Sequence, residues 1–254
     1  MTKRKKGNSA GDFVIIPIYC NGRNMRVRVK KRLAEVQSTF QNMLFFDTPR
    51  FGKCLLINGI MQCSDFDHDL YDNEILRNLN ANDRNILILG GGDGFVAEMA
   101  LKLNSKLSVG IIDLDIEVVN GSKKYLDKKV FSDKRVKLLI RDALDYLRSL
   151  IKEKKNKLDG IVFDLTDEPV RESDIDAKKG FVEFYSELID LSYRSLKKGG
   201  WVSMQAGASR VIPKYNNAVK ALEKLLRKKF HRVERTDIMI PSFGEKNAFL
   251  FGEK

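Results

Sequence analysis

The chain has 254 residues, 43% hydrophobic and 31% charged, with a formal net charge of +12. That length allows one large domain, or a large domain with a small one, in a protein of ordinary soluble composition. No apolar run approaches the roughly 18–20 residues of a membrane span and no signal-like apolar segment opens the chain, so a cytoplasmic location and no membrane partner are expected. Cys20, Cys54 and Cys63 form no CxxC pair and the histidines are His68 and His231. Neither a disulfide framework nor a metal site is expected from that set.

Residues 1–11 carry the basic run TKRKK and read as a disordered tail. From Asp12 to about Phe66 come short β-type runs, DFVIIPIYC, RVRVKKR, NMLFFDT, KCLLING and IMQCS, parted by turn signals. They predict an antiparallel β region. The helical stretch YDNEILRNLN closes this first unit, over 12–80, and links it to a second. That second unit, 81–254, alternates strand and helix. NILILG leads to GFVAEMALKL, LSVGIID to IEVVNGSKKYL, VKLLI to ALDYLRSLIKEKK, GIVFDL to FVEFYSELIDLSYRSLKK, and WVSMQA to NNAVKALEKLLRKK. VERTDIMI and AFLFGE come last with no helix between them, as an antiparallel pair at the edge. The fold class is α/β, a Rossmann-like, mostly parallel sheet covered by helices, with a small N-terminal antiparallel β region.

Open sheets of this kind bind ligands beyond the carboxyl ends of their strands. The first such end reads Gly90-Gly91-Gly92-Asp93-Gly94, a phosphate-type turn with an acid in its middle. The second ends at Asp113, about 20 residues on, where an acid meets ribose hydroxyls. The third ends at Asp142, and the fourth at Asp164 with Asp167 close behind. Any one of them alone reads as a solvated turn or a helix cap. Five on one rim repel one another unless a cation sits among them. Asp93 in particular would repel the carboxylate of S-adenosylmethionine. It would pair with the ammonium group left when that carboxylate is removed.

These residues resemble the polyamine aminopropyltransferases, the spermidine, spermine and thermospermine synthases. The likeness runs from about Thr39 to Glu253 through FQN, FGKCLLINGIMQ, LYDNEIL, LGGGDG, IIDLD, IRDAL, FDLTDEPV, MQAG and IPSFGE, in that order. The resemblance implies donor contacts from Gln41, the glycine turn at Gly90, Gly91 and Gly92, Asp93 on the aminopropyl amine, Asp113 on the ribose, and Asp142 with the Ala143 backbone on adenine. Asp164 matches the proton acceptor. Tyr71, Asp72, Asp93, Asp164, Asp167, Gln205, Phe243 and Glu245 fall on the acceptor side. Asp113 replaces the usual glutamate, Asp72 the usual Gln or His, and Phe243 a tyrosine. Pro169 comes one residue later than in spermidine synthases, and Glu245 aligns with an acid that spermine synthases turn toward spermidine.

The resemblance therefore implies decarboxylated S-adenosylmethionine as co-substrate, with no metal or prosthetic group. A polyamine is the partner, spermidine ahead of putrescine, and the chain forms a homodimer or higher homo-oligomer. The segment 170–180 is a candidate gate. Two other readings stand beside this one. One is an S-adenosylmethionine-dependent methyltransferase acting on RNA or a small molecule, and the other a module that binds polyamine or nucleic acid without turnover. Nucleic acid is disfavoured, because the basic residues lie in a tail and on solvated faces without interleaved aromatics.

Overall fold

Alternating apolar residues zip β1 (Phe13–Ile18) to β2 (Arg23–Arg28) as an antiparallel ribbon, Val14 facing Val27 and Ile16 facing Met25. In this computed structural model, which describes residues 11–18, 22–153, 157–165, 175–209 and 217–254, the chain leaves the ribbon at Val29 and Lys30. The Val29 N–H donates to the Asp12 carbonyl and the Lys30 N–H to that of Asp47, both at 2.8 Å. RVRVKKR, expected as one strand, is thereby split between two sheets. Its last two residues open β3 (Lys31–Gln37), whose charged sequence hides its alternation. β3 pairs in an antiparallel meander with β4 (Asn42–Thr48), β5 (Gly52–Ile57) and β6 (Ile60–Ser64). The tail through residue 10, Cys20, Asp167 and Pro169 lie outside the described residues.

The meander is buried on both faces. On one side Phe46, Phe51, Cys54, Leu56 and Met61 pack against the ribbon's Val14, Ile16 and Val27. On the other, Met43, Phe45, Leu55, Ile57 and Cys63 pack against Phe95, Val118 and Leu126 of the second region. Helix α1 (His68–Ile75) starts three residues before the expected stretch and ends five before it, because the polar RNLNAND beyond it closes into turns, Leu79 N–H to Leu76 and Asp83 N–H to Asn80.

The second region matches the expected alternation. β7 (Asn85–Gly90), α2 (Phe95–Leu103), β8 (Ser108–Asp113), α3 (Ile116–Tyr125), β9 (Val136–Ile140), α4 (Ala143–Lys152) and β10 (Leu158–Asp164) succeed one another. Then come α5 (Ile175–Ser195), β11 (Leu196–Ala208), α6 (Asn217–Arg227), β12 (His231–Ile240) and β13 (Glu245–Glu253). α5 begins inside the candidate gate, so residues 175–180 are helical while 170–174 lie outside the described residues. The sheet order is β12-β13-β11-β10-β7-β8-β9, parallel from β11 to β9, with β12 and β13 antiparallel at one edge. The chain runs outward from β7 to β9 and then restarts at β10 on the other side. The strand order thus reverses between β7 and β10, which opens a crevice at their carboxyl ends.

Candidate active site

A cavity of about 320 Å³ occupies that crevice, the size range of small-ligand sites. Its floor is the ends of β7, β8 and β10. Its roof comes from the N-terminal meander through Phe40, Gln41, Leu55, Ile57, Met61 and Gln62, with Tyr71 from α1 at one side. Asp93, Asp113, Asp142 and Asp164 all line it, so four of the five expected acids share one space.

The glycines bring the strand ends together. Gly90 has φ +84°, and a Cβ there would lie 2.0 Å from the Asp164 carbonyl oxygen. A Cβ on Gly92 would fall 2.5 Å from an Asp113 carboxylate oxygen. Any side chain at either position would push β7 away from β10 or β8. Past the turn, Asp93 accepts the Phe95 N–H at 3.0 Å, at the first turn of α2. A helix N-terminus normally receives a ligand's phosphate or carboxylate. Here the protein's own acid fills that position.

Toward β8 and β9 the carboxylates are satisfied by backbone. Asp113 accepts the Asp115 N–H at 2.8 Å, and Asp142 caps α4 through the Asp145 N–H at 2.9 Å. Asp115 caps α3 with one oxygen, from the Glu117 N–H at 3.0 Å. Its other oxygen accepts the Ser38 hydroxyl at 2.6 Å and the Gln41 amide at 3.0 Å. Gln41 is therefore fixed over the cavity from the seven-stranded sheet. Burial raises Asp113 to about 6, against the Asp115 and Gly92 N–H groups that favour its anion.

Toward β10 the acids face one another. The Tyr71 hydroxyl donates to Asp164 at 2.6 Å, and the Tyr71 ring packs edge-on against Phe249 at 5.2 Å. Burial raises the Asp164 pKa well above the ordinary carboxylate range, and the Asp93 charge adds to it while the Tyr71 hydroxyl opposes it. Asp93 is also raised by burial, in spite of the Phe95 N–H, Lys128 and the Cys63 thiol. A bound cation relieves both groups at once. Gln205 and Phe243 complete this wall, Gln205 held by its amide on Asn247 at 3.1 Å.

Two expected acceptor-side acids do not line this cavity. Asp72 is buried one layer behind it, paired with His68, and Glu245 is buried at the start of β13. The cause is helical and strand phase: Tyr71 takes the cavity-facing position on α1, and Phe243 in the turn before β13 occupies the wall. Asp167 lies outside the described residues. Conversely, the sequence patterns assign no role to Asp115, Arg141, Phe40 or Gln62, all of which line the cavity. Asp67 escapes those patterns too. It joins β6, α1 and the β12–β13 turn by accepting the Ser64 hydroxyl at 2.6 Å and the Ser242 N–H and hydroxyl at 2.6 and 2.8 Å. Both acids stand just before a helix, but Asp115 caps its own helix while the Asp67 carboxylate goes to Ser64 and Ser242 instead, a partnership no local pattern shows. Among the described residues, no three His, Cys, Asp or Glu side chains are grouped to hold a metal ion. No helix there is long and apolar enough to cross a membrane.

Residues 72–253 match the spermine/spermidine synthase domain, and residues 14–65 the spermidine synthase tetramerisation domain. The chain belongs to the spermine/spermidine synthase family. It is 31% identical over 231 residues to a polyamine aminopropyltransferase of Saccharolobus solfataricus, covering 88% of this chain and 72% of that one. It is 35% identical over 185 residues to a polyamine aminopropyltransferase of Saccharolobus islandicus, covering 70% of this chain and 58% of that relative's length. These names make the family one of aminopropyl-transferring enzymes. A spermidine synthase solved in complex with the transition state analogue AdoDATO shares the fold, with TM-score 0.82 over 99% of this chain and 83% of that one, at 21% identity.

Proposed function

We propose that this chain transfers the aminopropyl group of decarboxylated S-adenosylmethionine to a polyamine amine and releases methylthioadenosine. The observation that carries this reading is Asp93 bonded to the α2 N-terminus at 3.0 Å inside a cavity shared with Asp113, Asp142 and Asp164. A carboxylated donor meets an anion there, and a decarboxylated one meets a partner for its ammonium. The same repulsion disfavours a methyltransferase reading, on RNA or on small molecules. Gln41, Asp113, Asp142 and Ala143 take the nucleoside, with the glycine turn beneath it.

The reaction is an in-line displacement. The acceptor nitrogen attacks the carbon next to the sulfonium, the carbon–sulfur bond breaks, and its electron pair neutralises sulfur as methylthioadenosine leaves. The sulfonium already activates that carbon, so the chain's main task is alignment. A proton must leave the attacking nitrogen. An alkyl ammonium and an ordinary aspartate differ by about 6 pKa units, roughly 9 kcal/mol. The sulfonium lowers the first and burial raises Asp164, which narrows the gap from both sides. Asp164, oriented by Tyr71, takes or relays the proton.

The acceptor is a di- or triamine held by Asp164, Gln205, Phe243 and Asp167. The DLTDEP motif supports spermidine ahead of putrescine, although Glu245, at 6% exposure, lies behind the wall. The N-terminal β region, which matches a tetramerisation domain, supports a homo-oligomer. Incubation with decarboxylated and ordinary S-adenosylmethionine and a panel of amines, read by mass, tests the reading. A lengthened polyamine with methylthioadenosine is expected. S-adenosylhomocysteine in its place would establish the methyltransferase, and no product from any amine would leave a binding module.

A further inference from the structure

Behind Asp93 lies a second, much smaller space lined by Cys63, His68, Asp72 and Asp67, and it shares Tyr71, Asp93 and Phe243 with the main cavity. His68 and Asp72 stand one turn apart on α1, the spacing that puts two side chains on one face. His68 Nδ1 is 2.8 Å from an Asp72 oxygen, and Asp72 is 1% exposed. The His68 ring packs on Phe95 at 4.3 Å between centroids. Phe95 is also the residue whose N–H holds Asp93. Lys128 Nζ sits 3.2 Å from the same ring centroid and 2.8 Å from Glu98.

A carboxylate as buried as Asp72, lining the same small space as Asp93, is a liability for the site. Its field favours the protonated form of Asp164, and the Asp93 charge favours the protonated form of Asp72. Two carboxylates that share a buried space keep a proton between them unless a cation intervenes. The facing groups fall into two sets. Asp69, 3.7 Å from His68 Nδ1, and Asp67 add negative charge. Lys128 adds positive charge, but Glu98 engages it, and the Cys63 thiol is neutral with its pKa raised by burial. Burial opposes a charge on His68, but the Asp72 hydrogen bond and the charges of Asp72 and Asp69 raise its pKa overall, so His68 is the group in direct contact with Asp72 that can carry the compensating positive charge.

We infer that His68 and Asp72 form a positioning pair, in which the imidazolium cancels the Asp72 charge so that Asp93 keeps its own for the ligand's ammonium. The pair acts through Asp93 and touches neither substrate. This inference rests on the reading of Asp93 as the donor's ammonium site. With the pair intact, donor binding displaces only what Asp93 and Asp164 hold between themselves. Without the imidazolium, Asp72 and Asp93 share a further proton that the incoming ammonium must expel.

The test is calorimetric titration of the full chain with decarboxylated S-adenosylmethionine between about pH 6 and 7.5, on wild type, His68→Gln and the double variant His68→Gln/Asp72→Asn. Wild type gives the reference profile, since Asp72, at about 7, itself titrates in that range. Relative to wild type, His68→Gln should bind about tenfold more weakly at the acid end and recover by up to about tenfold per pH unit, with one more proton released on binding. The double variant should lose that added pH dependence and stay within about threefold of wild type. A purely structural role for His68 would give a loss independent of pH that Asp72→Asn does not rescue, and that result overturns the inference. So does a His68→Gln profile that coincides with wild type. If His68→Gln does not fold, the double variant carries the test alone, and a pH dependence steeper than that of wild type or a loss beyond about threefold in it is the overturning result. Wild type that binds no decarboxylated donor would remove the underlying reading, whereas normal wild-type binding with failed rescue removes only the pair's role.

Discussion

The two halves of the cavity handle the same residue type in opposite ways. On the β8–β9 side, Asp113, Asp115 and Asp142 each accept a backbone N–H, the latter two as helix caps. On the β7–β10 side, Asp93 has the Phe95 N–H and Asp164 the Tyr71 hydroxyl, yet burial pushes both up, as it does Asp113, and the Asp93 charge raises Asp164 further. The first arrangement suits a neutral ligand with hydroxyls and ring nitrogens, because its charges are already answered by the protein. The second is left for a cation to answer. A ligand that is a nucleoside at one end and an ammonium at the other matches both halves.

The sharpest way to break this comparison is at Asp164. Asp164→Asn should reduce turnover by roughly 10²–10⁴-fold while donor binding stays measurable, as loss of a general base does. Methylthioadenosine release near the wild-type rate would reject the proton-acceptor role. Next in size, Asp93→Asn should weaken the decarboxylated donor by about 10–100-fold and shrink the discrimination against ordinary S-adenosylmethionine. Competition binding with the two nucleosides measures this, and an unchanged ratio would mean that Asp93 does not read the carboxyl group.

The crowded half should also show in stability. Burial first, opposed by His68, lifts Asp72 to about 7, above its unfolded value of 3.8. A raised carboxylate leaves the fold unburdened below about pH 4 and costs stability as pH climbs through 7. Asp72→Asn should therefore melt higher than wild type at pH 8, with the advantage gone by pH 4. The upper bound is roughly 4 kcal/mol, less the lost hydrogen bond to His68. A variant that gains nothing between pH 5 and 8 contradicts the assignment.

Effects on the quiet half should be smaller. Asp115→Ala removes the α3 cap and frees Gln41, so we expect a several-fold rise in donor KM, little change in kcat, and about 1 kcal/mol lost from folding. An equal fall in kcat would place Gln41 in the chemistry instead. Smallest of all should be the response to salt. The formal charge of +12 is screened beyond about 8–10 Å at physiological ionic strength. Raising salt from about 50 to 300 mM should change the polyamine KM by less than about threefold. A steep loss would point to a polyanion as the real ligand.

The quiet half is the more legible one. Asp142 and Asp113 stand at the ends of apolar runs, and a short-range pattern locates them. The parallel strands from NILILG to WVSMQA are readable for the same reason, since such strands are nearly continuous in apolar residues. β3 is not legible, because a half-exposed strand where the chain passes between two sheets shows mostly polar residues. Asp72 is the instructive residue at the site. Sequence neighbours Tyr71 and Asp72 both look like lining residues, but consecutive positions on a helix point about 100° apart. Only Tyr71 reaches the main cavity.

The sequence by itself determined the α/β alternation, the glycine turn, and the presence of an acid at each of four strand ends. These come from periodicity and from backbone constraints within a few residues. Tertiary structure alone decided which acids share a space. It set Asp115 to hold Gln41 from 74 positions away and Asp67 to tie down Ser242 from 175. It also left Asp72 to His68 and Asp164 to Tyr71. The reason is electrostatic. A carboxylate's state depends on the burial and charges within a few ångströms, and those come from chain segments that no local pattern connects.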